Sequence, residues 1–198
     1  MRQLALRISP PPQPTLDNFV AGANAELLAQ LRDLVSGVLP DNIVYVWGEK
    51  GSGKSHLVQA CTGLHAVDDV EKLDEASQIA LFNKINEARQ SGGKVLAAGN
   101  APPPLLPLRD DLKSRLAWGL VYHLKPLTDD ERAAYLRAEA GRRGMRVPDE
   151  VVSYLLTHVR RDLPTLLAIL DEVDRISLEK QHPITLPLVR AALKDMEE

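Results

Sequence analysis

A glycine-rich segment that directly follows a short apolar run constrains the fold of this chain more than any other feature. The apolar run covers residues 43–47, and residues 48–55 read GEKGSGKS. Glycines at this spacing allow a tight turn whose N–H groups point inward, toward an anion at the start of the following helix. The pattern therefore predicts a phosphate-binding loop between a strand and a helix.

The residues of this loop predict a site for a polyphosphate with Mg²⁺. The backbone at Gly48, Gly51 and Gly53 would contact the phosphate oxygens. Lys54 would reach the β- and γ-phosphates, and the hydroxyl of Ser55 would bind the Mg²⁺ that bridges them. The alternative is an ordinary glycine-rich turn, which the apolar run before the loop and the helical pattern after it disfavour.

Composition and apolar spacing predict an α/β part followed by a helical part. The 198 residues are 44% hydrophobic and 26% charged, and the net charge of −3 gives no general electrostatic case for nucleic-acid binding. Strands are predicted at residues 43–47, 64–69, 94–98 and 120–124, with helices at residues 24–37, after the loop and at residues 75–90. This alternation is typical of a three-layer α/β fold with a mostly parallel sheet. From residue 128 onward only helical spacing recurs, and four helices are predicted, beginning at residue 128, after residue 148, near residue 162 and near residues 185–187.

The expected domains are a flexible tail over residues 1–14, a nucleotide-binding α/β domain over residues 15–126 and a helical lid over residues 127–198. Prolines at positions 10, 11, 12 and 14 forbid a helix in the tail. Cys61 is the single cysteine, so the chain cannot form an internal disulfide. The sequence has neither a leader pattern nor a run as long as a membrane span, and we expect a cytoplasmic protein.

Two acidic residues, Asp68 and Asp69, close the second predicted strand. In parallel α/β sheets, nucleotides bind where the strands end. Asp68 would bind Mg²⁺ together with Ser55, and Asp69 would orient or polarise an attacking water. The alternative is a polar turn that caps the next helix. His65, in the same run, is expected to be structural, because none of the five histidines has the spacing of metal ligands.

Three further polar sites are candidates for contact with phosphate. Asn100 ends the third apolar run and could touch a γ-phosphate or a water, although an Asn before prolines also satisfies loop backbone. Arg115, shortly before the last strand, has the setting of an arginine finger for a nucleotide on a neighbouring subunit. Arg160 or Arg161 could reach back over the phosphates. For these arginines the alternative is a solvated surface charge.

Taken in order, these segments resemble the AAA+ ATPases, and among them the replication initiator DnaA and its regulatory relative Hda. The resemblance covers almost the whole chain, although only the phosphate loop is specific by itself. The family's first box is similar to residues 15–20, and its two Walker motifs are similar to residues 48–55 and 67–69. Its sensor 1 position corresponds to residue 100. Its arginine-finger box is similar to residues 112–120, and its sensor 2 motif is similar to residues 161–163. The resemblance implies that Arg115 is an arginine finger acting in trans and that Arg161, rather than Arg160, is the sensor.

This resemblance also implies cofactors and partners. The cofactor would be ADP or ATP with Mg²⁺, and the partners would be the DnaA initiator and the replicative sliding clamp. The tail looks like the clamp-binding peptide of Hda, with Gln3, Leu4 and Leu6 as the contacts, although an inert tail is the alternative for so short a pattern. Because no helix-turn-helix segment follows the lid, we expect no sequence-specific DNA binding.

The expected function is negative regulation of replication initiation, in which the protein acts with the DNA-loaded clamp to stimulate hydrolysis of DnaA-bound ATP. Asp69 leaves open a self-sufficient ATPase of the helicase-loader or clamp-loader type, and a passive clamp-binding adaptor is a third alternative. A weak intrinsic ATPase and a homo-oligomer are compatible with the resemblance.

One departure from the family lies between Ser55 and Asp68. This interval has room for only about one helix, where the family also carries a further strand and helix. The sheet is therefore expected to lack one edge strand, and the strand before Asp68 becomes the new edge.

Overall fold

The computed structural model describes residues 13–197, which contain four β-strands and eight α-helices. The strands are β1 (Ile43–Trp47), β2 (His65–Val67), β3 (Val95–Gly99) and β4 (Leu120–His123). The helices are α1 (Ala25–Val35), α2 (Lys54–Ala60), α3 (Glu75–Ser91), α4 (Asp110–Leu116), α5 (Asp129–Arg142), α6 (Asp149–His158), α7 (Leu163–Lys180) and α8 (Leu186–Glu197). The chain divides into two compact units, one with Gln13–Pro126 and one with Leu127–Glu198.

The four strands form one parallel sheet in the order β2-β3-β1-β4. In the centre of the sheet, Tyr45 of β1 pairs with Ala97 of β3 and Val121 of β4. The strands β1 and β3 are buried along almost their whole length, which is why they read as unbroken apolar runs. Because the strands are parallel, the residues that follow β1, β2 and β3 emerge at the same end of the sheet.

A hydrophobic cluster covers each face of this sheet. The cluster on one face includes Leu31 of α1, Val44 of β1 and Leu57 of α2. The cluster on the other face includes Tyr45 of β1 and Ile85 of α3. Neighbouring strand residues point to opposite faces, so the first unit has a sheet between two helical layers. This arrangement confirms the predicted fold class.

The strand that precedes the acidic pair lies at an edge of the sheet. β2 has three residues and, among the described strands, pairs with β3 alone. It follows the seven-residue helix α2 after a turn at Gly63, whose φ of 86° suits glycine. So short a connection leaves no room for another strand, and the expected shortening of the sheet is confirmed.

The structure also confirms the four predicted helices of the second unit. Thr128 and Glu131 form the predicted capping box at the start of α5. At α7, Asp162 accepts a hydrogen bond from the N–H of Thr165 at 3.0 Å. Both caps satisfy N–H groups that have no partner within the helix. The sequence did not predict α4, which has seven residues and begins after Arg109 with no side-chain cap.

The second unit has a hydrophobic core of its own. Each of its helices contributes buried residues, among them Leu136 of α5, Leu155 of α6, Leu166 of α7 and Val189 of α8. This unit therefore does not depend on the sheet for a core. Over residues 13–197, no helix is both long and apolar enough to cross a membrane.

Candidate nucleotide-binding site

The loop between β1 and α2 has the backbone geometry that its glycines predict. Gly51 and Gly53 adopt left-handed conformations, with φ of 82° and 106°, which cost glycine little. A Cβ on Gly48 would lie 2.7 Å from the carbonyl oxygen of Leu124, and one on Gly53 would lie 2.8 Å from the ring of Phe19. The loop is thus packed too closely for larger residues at these positions.

The ammonium group of Lys54 lies inside this loop. It donates hydrogen bonds to the carbonyl oxygens of Gly48 at 2.6 Å and Glu49 at 2.9 Å, and the residue is only 8% exposed. An ammonium group has three donors, so at least one remains for a ligand. Phosphate oxygens would be stronger acceptors than these neutral carbonyls because they carry charge.

Two hydroxyl groups flank Lys54 in sequence. The Oγ of Ser52 is buried and has no hydrogen-bond partner among the described residues, although such groups are normally satisfied. Ser55 lies in the first turn of α2 and is exposed. A loop with a buried unsatisfied hydroxyl, an inward-facing ammonium group and closely packed glycines fits a polyphosphate ligand.

Asp68 and Asp69 follow β2 at the end of the sheet where the loop lies. Asp68 accepts a hydrogen bond from the N–H of Asp69 at 2.9 Å. Asp69 has a left-handed backbone (φ 49°), and its carboxylate lies 2.5 Å from the ammonium nitrogen of Lys72. This hydrogen bond raises the pKa of Lys72. Asp69 is therefore paired within its own turn, whereas Asp68 contacts backbone.

Asn100 follows β3 at the same end, and its backbone N–H donates to a carboxylate oxygen of Glu71 at 3.3 Å. The sequence did not single out Glu71 as a site residue. The hydroxyl of Tyr45 donates to the carbonyl of Ala101 at 2.7 Å, and burial together with the charge of Glu71 raises the pKa of Tyr45. The acidic turn thus supplies a third carboxylate, and it lies beside Asn100.

Arg115, in the last turn of α4, is held by aromatic rings. Its guanidinium carbon lies 3.5 Å from the ring centroid of Trp118 and 5.1 Å from that of Phe82. Within residues 13–194 it has no carboxylate partner, and its Nε is buried without a hydrogen bond. The sequence did not identify Phe82, whose role depends on the packing of α3 beside α4.

Arg161 lies in the second unit, before α7. Its guanidinium group forms an ion pair with Asp129 at 3.0 Å, and Arg160 pairs with Asp162 at 3.3 Å. Each of the two arginines thus has a carboxylate partner within this unit. Arg161 is 56% exposed in its side chain, so its charge is accessible to solvent.

The segment before α1 packs against the start of α2. The carbonyl oxygen of Thr15 lies 2.9 Å from Nε2 of His56, and the ring of Phe19 lies 5.4 Å from that of His56. Thr15 and Asn18 also exchange two hydrogen bonds, which stabilise this turn. The predicted clamp contacts at positions 3, 4 and 6 lie outside the described residues.

The sequence has relatives that establish its family. Residues 129–193 match the family model of the Hda lid domain. A protein of Haemophilus influenzae, described as uncharacterised, is 32% identical in an alignment that covers 97% of this chain and 98% of that protein. The chain belongs to the Hda-like, DnaA-related AAA+ proteins. The alignment of the two proteins has 228 positions, whereas this Hda-like chain has 198 residues. The Haemophilus protein therefore carries at least 30 residues that have no counterpart in this chain.

Solved structures show that the Hda-like protein has the AAA+ fold. Domain III of Thermotoga maritima DnaA is 22% identical, with a TM-score of 0.73. The match covers 93% of this chain and 97% of the DnaA domain. AMPPCP-bound DnaA of Aquifex aeolicus is 20% identical with a TM-score of 0.70, and the match covers 82% of this chain but only 65% of the DnaA chain. Thermotoga maritima RuvB, a Holliday junction branch migration motor, is 17% identical, with a TM-score of 0.66 over 91% of this chain and 71% of RuvB.

Proposed function

We propose that this Hda-like protein binds ADP or ATP with Mg²⁺ and, together with the DNA-loaded sliding clamp, stimulates hydrolysis of ATP bound to DnaA. The observation that carries the proposal is the state of Arg115, whose guanidinium group is positioned by aromatic rings and has no described carboxylate partner. An arginine finger needs a guanidinium group that is not neutralised by a carboxylate. It must bind the phosphate oxygens of a nucleotide held by another subunit as their negative charge grows.

The protein's own nucleotide would bind in the loop at residues 48–55. The N–H groups of this loop and Lys54 would contact the phosphates, and Asn100 would reach the same ligand. The proposed sensor role of Arg161 rests on the family motif at residues 161–163. Ser55 and Asp68 are the candidate Mg²⁺ ligands, and phosphate oxygens and waters would complete the coordination, as Mg²⁺ commonly prefers. When bound, Mg²⁺ neutralises phosphate charge. AMPPCP binding by related DnaA supports an adenine nucleotide.

In the regulatory step, Arg115 would enter the nucleotide site of DnaA. It would donate hydrogen bonds to the phosphoryl group being transferred, and arginine fingers raise such rates by about 10³-fold or more. Gln3, Leu4 and Leu6 would bind the clamp and so concentrate the protein at replicating DNA. With this activity the protein would act in the cytoplasm, together with DnaA.

A self-sufficient ATPase of the helicase-loader or clamp-loader type is the second candidate. Glu71 favours it, because this carboxylate lies beside Asn100 at the end of the sheet and could orient an attacking water. Asp69 is the other candidate for orienting that water, and its carboxylate forms an exposed ion pair with Lys72. In this second candidate the protein would hydrolyse its own ATP without DnaA.

The test measures hydrolysis of DnaA-bound ATP in the presence of clamp loaded on DNA. Arg115→Ala and Gln3→Ala should each lose the stimulation that the parent protein provides. Lys84→Gln is the control, because Lys84 is a surface cation already paired with Glu87. A parent protein that hydrolyses ATP alone and leaves DnaA-bound ATP unaffected would favour the second candidate.

A further inference from the structure

A second arginine lies over the same tryptophan as Arg115. The guanidinium carbon of Arg89, near the end of α3, is 4.4 Å from the ring centroid of Trp118. That of Arg115, in α4, is 3.5 Å from the same centroid. Trp118 therefore contacts two cations that reach it from two different helices. The group formed by Arg89, Arg115 and Trp118 is called the arginine-pair surface below.

The charges of this surface are not balanced by carboxylates. Neither Arg89 nor Arg115 forms an ion pair with any residue between 13 and 194. The other cations of α3 and α4, and Arg109 just before α4, are paired: Lys84 with Glu87, Arg109 with Asp111 and Lys113 with Asp110, at 2.7–3.0 Å. Two cations held beside one ring repel each other. An anion that binds both would remove this repulsion, so the surface favours an anionic ligand.

The arginine-pair surface is also accessible. Trp118 is 40% exposed, and Arg89 is exposed near the end of its helix. The indole ring limits the motion of both guanidinium groups, which lowers the entropy lost when they bind a ligand. Planar guanidinium groups bind phosphate through paired hydrogen bonds. A chain of linked phosphates offers enough oxygens for two such groups at once.

We infer that the arginine-pair surface binds the polyphosphate of a nucleotide held by another protein subunit, with Arg89 as a second phosphate-binding residue beside Arg115. The identity of that subunit as DnaA rests on the proposed function, whereas the affinity for polyphosphate does not. Arg89 strengthens binding before and during the reaction, and Arg115 acts mainly on the charge that develops as the reaction proceeds. A substitution of Arg89 and a substitution of Arg115 are therefore expected to change different kinetic parameters.

The first test uses Trp118 as its own reporter. The chain has two tryptophans, so Trp47→Phe leaves Trp118 as the sole source of indole fluorescence. This protein, saturated with ADP and Mg²⁺ to fill its own loop, is titrated with tripolyphosphate at constant ionic strength. We expect a saturable change in emission, whose midpoint rises at least tenfold in Arg89→Gln and in Arg115→Gln. Lys84→Gln removes a charge from the same helix as Arg89 and should leave the midpoint unchanged.

A purely structural role for Arg89 makes a different prediction. If Arg89 only covers the indole ring, Arg89→Gln lowers thermal stability but leaves the tripolyphosphate midpoint where it was. A midpoint within twofold of the parent value therefore overturns the inference, as does a titration with no saturable change. Circular dichroism of each variant establishes that it is folded before it is titrated.

The second test separates the inference from the proposed function. In the DnaA assay, Arg89→Gln should raise the concentration that gives half-maximal stimulation about tenfold and change the maximal rate less than threefold. Arg115→Gln should mainly lower the maximal rate. If the parent protein gives no stimulation, the proposed function fails, and the fluorescence titration still decides whether the surface binds polyphosphate. If Arg89→Gln reaches half-maximal stimulation at the same concentration as the parent protein, the role of Arg89 toward DnaA is refuted.

Discussion

Replacing Gly119 by alanine should destabilise the first unit through a single contact. An added Cβ would lie 2.0 Å from the carbonyl oxygen of Ile43 and 2.8 Å from its carbonyl carbon. An ordinary contact needs about 3.4 Å or more, so the chain must move by more than 1 Å. Both atoms belong to the backbone of Ile43, next to the Val44–Leu120 pair that begins the pairing of β1 with β4. Neither atom can turn aside as a side chain could.

The size of the effect follows from this rigidity. Overpacking costs about 1–3 kcal/mol. Because the clash is with backbone of the buried strand β1, we expect Gly119→Ala to lower the free energy of unfolding by about 3 kcal/mol. For a chain of this size, that lowers the melting temperature by about 6–12 °C. Trp118 precedes Gly119 directly, so the shift should also disturb the ring that contacts Arg115 and reduce the proposed stimulation of DnaA.

Differential scanning calorimetry of the full chain measures this effect. Gly141→Ala is the matched control, because an added Cβ there has no neighbour within 4 Å and alanine is the better helix former inside α5. It should leave the melting temperature unchanged or raise it slightly. A loss of less than 2 °C in Gly119→Ala, or equal losses in both variants, would refute the steric reasoning.

Two further predictions concern the loop and the lid. Lys54→Ala should weaken ADP binding, measured by calorimetric titration, at least about 100-fold, because the charge-assisted phosphate contacts are lost; Lys50→Ala, which removes an exposed cation of the same loop, should have a much smaller effect. In the lid, hydrogen bonds from Arg142 and Arg143 hold the pKa of Glu139 below its ordinary value of 4.5. Its carboxylate therefore stabilises the fold above pH 4.5, and this contribution is lost as the pH falls through the lowered pKa. Glu139→Gln should lower the free energy of unfolding by about 1 kcal/mol at pH 7. The variant should also lose less stability than the parent protein between pH 5 and pH 3, as measured by urea unfolding.

Each of these has a result that contradicts it. Equal ADP affinities for Lys54→Ala and Lys50→Ala would show that the buried ammonium group does not contact the ligand. If Glu139→Gln loses as much stability on acidification as the parent protein does, the acid sensitivity of the lid arises from other carboxylates.

The sequence predicted the features that depend on residues close together in the chain. The phosphate loop follows from glycine spacing, and the capping box at Thr128 follows from a carboxylate three residues later. The central strands were recognisable because burial on both faces makes them continuously apolar. Even the edge position of β2 followed from the small number of residues between Ser55 and Asp68.

The features that escaped prediction depend on contacts between distant segments. Phe82 precedes Arg115 by more than 30 residues, and its ring is useful only because α3 packs beside α4. Glu71 reaches the backbone of Asn100 across 29 positions. The helix α4 lacks the local signal of a capping side chain. Spacing along the chain carries no information about such pairs, because they form only when the tertiary structure does.

The edge position of β2 also determines how this fold can change length during evolution. A strand in the middle of a sheet bonds to two neighbours, so inserting or deleting material there breaks pairing on both sides. At β2 an added strand would bond to backbone groups that face away from β3, and its removal would leave the pairing of β3, β1 and β4 intact. The turn at Gly63 is therefore a site where relatives can gain or lose a whole strand and helix without rebuilding the phosphate loop.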